Sequence, residues 1–192
     1  MTAIRLPKPS DFQRAMIFVD GTNLLYRLRG ARLRVPSFTR LLVGISRGQL
    51  IRSYIYTTIP HRDAALQTHG PNCFDGLRVV LGTAVPLADG NYKEKGVDAL
   101  LVADLIYHAA VRNCDNIAVV STDADFGHAL ERVEDFGCST AVLAICGEAP
   151  ASLRDGCDRY HTLSREQLLE RSVAEDMSHR HVQRADREQA AI

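Results

Sequence analysis

The sequence has no paired C-x-x-C motif, no apolar run of membrane length, few aromatic residues and no net charge. Each shortage closes off a class of function. Its five cysteines (Cys73, Cys114, Cys138, Cys146 and Cys157) are odd in number and never closer than eight residues. That spacing argues against a zinc cluster or a disulfide framework and for reduced, buried thiols. The longest apolar runs, such as Ala141–Cys146, fall far short of the ~20 residues that span a bilayer. Residues 1–14 lack the apolar stretch of a secretory signal, so they are expected to form an N-terminal extension of a cytoplasmic protein with no membrane partner. Aromatic residues make up 6% of the chain, so no broad base-reading platform is evident. Lys+Arg and Asp+Glu number 23 each, which argues against a general polyanion binder.

What is present is a hydrophobic chain with unevenly placed charge. At 192 residues and 46% hydrophobic, it is long enough for one domain with a real core, plus a tail. Residues 1–60 carry a net +8, residues 61–130 a net −4 and residues 131–192 a net −4. A basic first third beside an acidic middle suggests two differently charged walls.

Strand and helix signals alternate. Ala15–Val19 reads as a buried strand ended by Asp20-Gly21, and Pro36 to about Ser46 as a helix with Phe38, Leu41, Leu42 and Ile45 on one face. Leu50–Thr57 reads as a second strand, residues 58–76 as mixed helix and loop, and Arg78–Val85 as a third strand. Pro86–Gly96 reads as a polar loop and Val97–Val111 as a helix. Asn116–Val120 is the fourth strand, Asp125–Phe136 a helix closed by Gly137, and Ser139–Ile145 the fifth strand. Such alternation implies an α/β three-layer sandwich with a mainly parallel central sheet, because parallel strands need crossovers. The domain is expected over residues 15–163. Residues 164–192 contain neither Gly nor Pro and read as a C-terminal helical tail, with Leu169, Val173 and Met177 at four-residue spacing. Docking on the domain or fraying is the first expectation for it, and self-association into a homo-oligomer the second.

In open parallel sheets, ligands bind beyond the carboxyl ends of the strands. Asp20 follows the first strand directly, and Asp123 and Asp125 follow the fourth. Asp98 lies in the first turn of the 97–111 helix, and Asp104, roughly 120° around that helix from Asp98, is a further ligand or a supporting residue. Each aspartate alone is an ordinary turn or cap residue. Together they are not, since two unit charges ~4 Å apart repel by about 4 kcal/mol at an effective dielectric of ~20. A set of carboxylates without His or Cys nearby in sequence favours Mg²⁺ or Mn²⁺ over zinc. Other templates fail on single residues. A haloacid-dehalogenase loop needs Asp at the position of Phe18, and an adhesion-type ion site needs a hydroxyl at Leu24. No phosphate-cradling G-x-x-x-x-G-K-[ST] or G-x-G-x-x-G loop occurs.

Three segments in order carry a resemblance: Phe18-Val19-Asp20-Gly21-Thr22-Asn23-Leu24, Lys93-Glu94-Lys95-Gly96-Val97-Asp98 with Asp104, and Ser121-Thr122-Asp123-Ala124-Asp125-Phe126. They resemble the NYN domain family, the LabA-like branch of the PIN-type metal-dependent ribonucleases. Ser152-Leu153 through Asp158-Arg159-Tyr160 is similar to that family's closing segment. The resemblance implies a PIN-like fold and Mg²⁺- or Mn²⁺-dependent hydrolysis of RNA that leaves 5′-phosphate and 3′-hydroxyl ends. It implies Asp20, Asp98 and Asp123 as metal ligands, Asp125 as a ligand directly or through water, and Asn23 as a ligand-orienting or substrate-touching residue. Thr122 stands where glycine is frequent in the family and His128 where proline is common. Neither departure removes a carboxylate.

Substrate contacts are expected from Asn23, Ser121 and Thr122 beside the aspartates, and from Arg27, with Arg29, Arg32 and Arg34 near it, as a phosphate-binding wall. Lys93 and Lys95, just before Asp98, could reach the scissile phosphate. Tyr26 and Tyr92 could stack a base, although tyrosines at such edges more often fill core or rim. The favoured expectation is a metal-dependent endoribonuclease acting on single-stranded or structured RNA. A catalytically silent module that binds RNA or protein is the alternative, and a DNA-directed nuclease a third reading.

Overall fold

The computed structural model describes residues 13–43, 48–88 and 92–178. Its centre is strand β1 (Arg14–Asp20), which is buried at every position after Arg14. A run buried on both faces can be apolar throughout, as the sequence Ala15–Val19 is. Met16 and Phe18 face one core and Ile17 and Val19 the other, so β1 separates two apolar layers.

On one side of β1 the chain continues through α1 (Gly21–Gly30), the short β2 (Leu33–Arg34) and α2 (Phe38–Leu42) to β3 (Gln49–Thr57), then through α3 (Ile59–His69) to β4 (Arg78–Leu81). An antiparallel hairpin of β5 (Thr83–Pro86) and β6 (Tyr92–Lys95) follows. Helix α4 (Val97–Ala110) then carries the chain back to β7 (Asn116–Val120), on the other side of β1. Helix α5 (Gly127–Asp135), β8 (Ser139–Ile145), α6 (Ala151–Asp155) and β9 (Tyr160–Leu163) complete the domain. All neighbours in the six-stranded sheet β4-β3-β1-β7-β8-β9 are parallel. Leu24 and Leu28 of α1 and Phe38, Leu41 and Leu42 of α2 cover the Ile17 face. Val97, Leu101 and Leu105 of α4, Leu130 and Val133 of α5 and Leu153 of α6 cover the Phe18 face. The result is the expected three-layer α/β sandwich. Strand order reverses between β1 and β7, and in such sheets ligands bind beyond the carboxyl ends of the strands at that point.

The elements differ from the sequence reading in four places. The third strand splits at Gly82, whose N–H makes the last bond to β3, to the Thr57 carbonyl at 2.8 Å, and where a Cβ would stand 2.6 Å from Val97 Cγ2. The expected polar loop 86–96 contains β6, where Tyr92 and Glu94 alternate with Lys93 and Lys95. The helix expected from Pro36 to Ser46 covers only Phe38–Leu42, with Val43 already extended; residues 44–47 lie outside the described residues. The helix expected from Asp125 begins instead as a 3₁₀ turn over Ala124–Phe126.

The tail is corrected as well. Helix α7 (Arg165–Glu170), opened by a Ser164/Gln167 capping box, stops after six residues, and Ser172 takes a left-handed conformation at φ 54°. A two-residue strand, β10 (Glu175–Asp176), then pairs antiparallel with β2. Nothing in the local sequence stops the helix. The docked conformation wins because it buries Leu168 and Ala174 and forms the ion pairs Arg34–Glu175 at 2.8 Å and Arg165–Asp176 at 2.6 Å. Residues 179–192 lie outside the described residues. No helix among the described residues is long and apolar enough to cross a membrane.

Candidate active site

Asp20 ends β1 with the same parity as Met16 and Phe18, so its side chain emerges on the α4 face. It is also the N-cap of α1: Oδ1 accepts the Asn23 backbone N–H at 3.0 Å. The other oxygen, Oδ2, accepts the Ser121 hydroxyl at 2.8 Å from the neighbouring strand end. Gly21 must follow, because a Cβ there would stand 2.6 Å from the Tyr56 carbonyl oxygen of β3. The carboxyl is almost completely buried, at 5% exposure. Burial pushes its pKa up to about 6 despite the two hydrogen bonds that favour the ionised form, and the charges of Asp98 and Asp123 push in the same direction.

The turn after β7 is tied to the same point. Ser121 Oγ accepts the Asp123 backbone N–H at 3.0 Å while it donates to Asp20. Asp123 caps the 3₁₀ turn by accepting the Asp125 backbone N–H at 3.0 Å, which leaves Asp125 exposed at the rim. Asp98 enters from the first turn of α4, just after Gly96 at φ +78°. Partial burial raises its pKa, and Asp123, Glu94 and Asp125 raise it further. Asp98 and Asp123 therefore act on Asp20, and Asp123, Glu94 and Asp125 act on Asp98, from elements up to about a hundred residues apart in sequence.

The other expected residues fall into three groups. Asn23 and Thr122 lock the two turns together: Asn23 Oδ1 accepts the Thr122 backbone N–H at 3.2 Å, and its Nδ2 donates to Thr122 Oγ1 at 3.0 Å. Arg27 joins them, donating to Thr122 Oγ1 from Nη2 at 2.8 Å and from Nε at 3.2 Å. Lys93 and Lys95 are exposed on β6, and strand alternation puts them on the face opposite Glu94, away from the carboxylates. Asp104 is not among the charges acting on Asp20 or Asp98. It sits six residues beyond Asp98, about 9 Å along the helix axis, and accepts the Tyr56 hydroxyl at 2.9 Å.

Two participants escaped the sequence reading. Glu94 adds a fifth carboxylate: its Oε1 accepts the Thr22 hydroxyl at 2.9 Å and lies 2.8 Å from His61 Nδ1. The alternation Tyr92-Lys93-Glu94-Lys95 was the available signal, because it sends Glu94 to the side opposite the lysines. Nothing local marks His61, which reaches the hairpin from α3 only through the tertiary fold. The late Asp158 of the closing segment serves the sheet, accepting the Thr140 backbone N–H at 2.9 Å.

Among the described residues, no three His, Cys, Asp or Glu side chains are already drawn together as a metal cage. The donor chemistry still suits a hard dication. The donors are carboxylate oxygens, and none of the charges acting most strongly on Asp20 or Asp98 is positive.

A mainly parallel sandwich with carboxylates at the switch point is consistent with a PIN-like α/β domain. Residues 14–165 match the NYN domain family, and the chain belongs to it. NYN domains, generally nuclease-like and nucleic-acid-related, are part of the PIN-like superfamily, whose nucleases typically use divalent metals. The fold is similar to the crystal structure of a protein of unknown function from Vibrio parahaemolyticus, with a TM-score of 0.60, 20% identity, and coverage of 82% of this chain and 97% of that one. A candidate oxidoreductase from Parabacteroides merdae is a more distant match, with a TM-score of 0.31, 11% identity, and coverage of 81% of this chain and 32% of that one. No curated protein matches.

Proposed function

We propose that the chain is a divalent-metal-dependent endoribonuclease that uses Mg²⁺ or Mn²⁺ held by Asp20, Asp98, Asp123 and Asp125. The observation that carries this reading is the buried Asp20 carboxylate at the sheet's switch point, on which the charges of two further aspartates act. A bound dication would lower the pKa of an attacking water and offset charge that develops on the phosphate oxygens.

The chain's own residues would do the rest. Ser121 and the Asn23 amide hold both oxygens of Asp20 in one orientation. The Asn23–Thr122–Arg27 lock fixes the β1 and β7 turns relative to each other and leaves Arg27 donors for a phosphate beside the aspartates. Asp104 holds Tyr56 and takes no part in the ligand set. Lys93 and Lys95 stay at the hairpin rim, where they would add to attraction of the RNA and not to the chemical step.

The test is cleavage of single-stranded RNA by the purified protein with Mn²⁺ or Mg²⁺, with sequencing of the new 5′ ends. Cutting that EDTA and Asp20→Asn both abolish supports the reading. An Asp20→Asn variant as active as the parent refutes it, and RNA binding without cutting under either metal points to a silent binding module.

A further inference from the structure

A hollow of about 520 Å³ opens at the carboxyl ends of β8 and β9, beside α1. Its volume falls within the ~300–1,000 Å³ range of small-ligand sites. Tyr26 and Arg27 of α1 form one wall, Gly147 and Glu148 after β8 the floor, and Thr162 and Arg165 at the end of β9 the far side. The ends of β7 and β9 are two strand spacings, ~10 Å, apart, and Arg27, which lines the hollow, also bonds Thr122 in the turn after β7.

Arg27 belongs to both places. Its Nε and Nη2 are held by Thr122 Oγ1 at the carboxylate edge. Its Nη1 packs over Gly147, so that a Cβ there would stand 3.0 Å from it. A guanidinium fixed on one side, with donors left on the other, is pre-organised for a phosphate oxygen. Tyr26 stands at the rim, 74% exposed, more than any other large apolar side chain described. An aromatic face left in water next to a cationic fork matches the two parts of a nucleotide: base for the ring, phosphate for the fork. Arg165 is already paired with Asp176 and adds shape more than charge.

We propose that this hollow seats one nucleotide of single-stranded RNA next to the cleaved bond, its base stacked on Tyr26 and its phosphate held by Arg27. The position relative to the cut rests on the nuclease reading; the binding does not. Fluorescence anisotropy of a short labelled single-stranded RNA, measured in EDTA so that nothing is cut, tests it. Tyr26→Ala should weaken binding roughly tenfold, as loss of one base stack does. Tyr26→Phe should bind as the parent does. Thermal unfolding of Tyr26→Ala should match the parent, since the ring is exposed. Equal anisotropy titrations for Tyr26→Ala and the parent, including no binding by either, overturn the proposal. RNA cleavage unchanged in Tyr26→Ala removes the hollow and leaves the nuclease. Tyr26-dependent binding without cutting under any metal removes the nuclease and leaves the hollow.

Discussion

Replacing Asp20 with Asn should stabilise the metal-free protein at neutral pH. The native carboxyl has a pKa of about 6, against about 3.9 for an unfolded aspartate. At 1.36 kcal/mol per pKa unit, keeping Asp20 ionised inside the fold costs about 3 kcal/mol. The sign follows from the raised value: the stability Asp20 contributes is fully present below pH ~3.9 and lost as pH rises through about 6. Asn is nearly isosteric. Its Oδ1 can keep the cap on the Asn23 amide, and its Nδ2 can donate to Ser121 Oγ, whose hydroxyl then turns away. The value of about 6 already includes the charge-assisted bonds to Asn23 and Ser121, so the net gain stays at about 3 kcal/mol. For a chain of this length that is a rise of ~6–12 °C in Tm at pH 7.5 in EDTA. Millimolar Mn²⁺ should raise the parent's Tm and leave the variant's unchanged, because a cation that binds only the native state stabilises it by mass action. Differential scanning fluorimetry of both proteins between pH 4.5 and 7.5 reads the difference directly. An Asn variant less stable than the parent in EDTA at pH 7.5 would refute the reasoning.

Further outcomes follow from the same geometry. Asp98→Asn should abolish the Mn²⁺-induced stabilisation, whereas Asp104→Asn should keep it, because Asp104 is engaged with Tyr56; thermal shifts with and without metal separate the two. Gly21→Ala should cost about 3 kcal/mol or more, since its Cβ would collide with the Tyr56 carbonyl, and denaturant titration or loss of soluble protein reports it. His69 is buried, accepts the Val35 backbone N–H at 3.1 Å, and has a pKa lowered to about 4 by burial and then by Arg34. Its contribution is present above pH ~6.5 and lost as pH falls through about 4, a span of about 3 kcal/mol. His69→Gln should flatten that acid limb in urea titrations. Ala174→Asp, which places a charge in the seam between tail and domain, should destabilise by about 2 kcal/mol or more in the same assay.

The sheet and the aspartates were legible in the sequence because their signals are local. β1 and β8 are buried on both faces and read as unbroken apolar runs. An Asp directly after such a run falls at a strand end whatever the rest of the chain does. What the sequence hid depended on distant partners. Glu94 and His61 meet only because the β5–β6 hairpin stands beside the start of α3. Residues 171–178 have no helix breaker, yet they leave the helix because the edge of β2 and the guanidinium of Arg34 offer more than another helical turn. Asp104 shows the reverse error: sequence spacing made it a candidate ligand, and the phenol of Tyr56, contributed by β3, takes it.

The most direct test of the account is a crystal grown or soaked in Mn²⁺, with data collected at a wavelength where manganese scatters anomalously. The account predicts one or two anomalous peaks bounded by the carboxylates of Asp20, Asp98 and Asp123. A clean map with no peak there at millimolar Mn²⁺, and those side chains still apart, would contradict it.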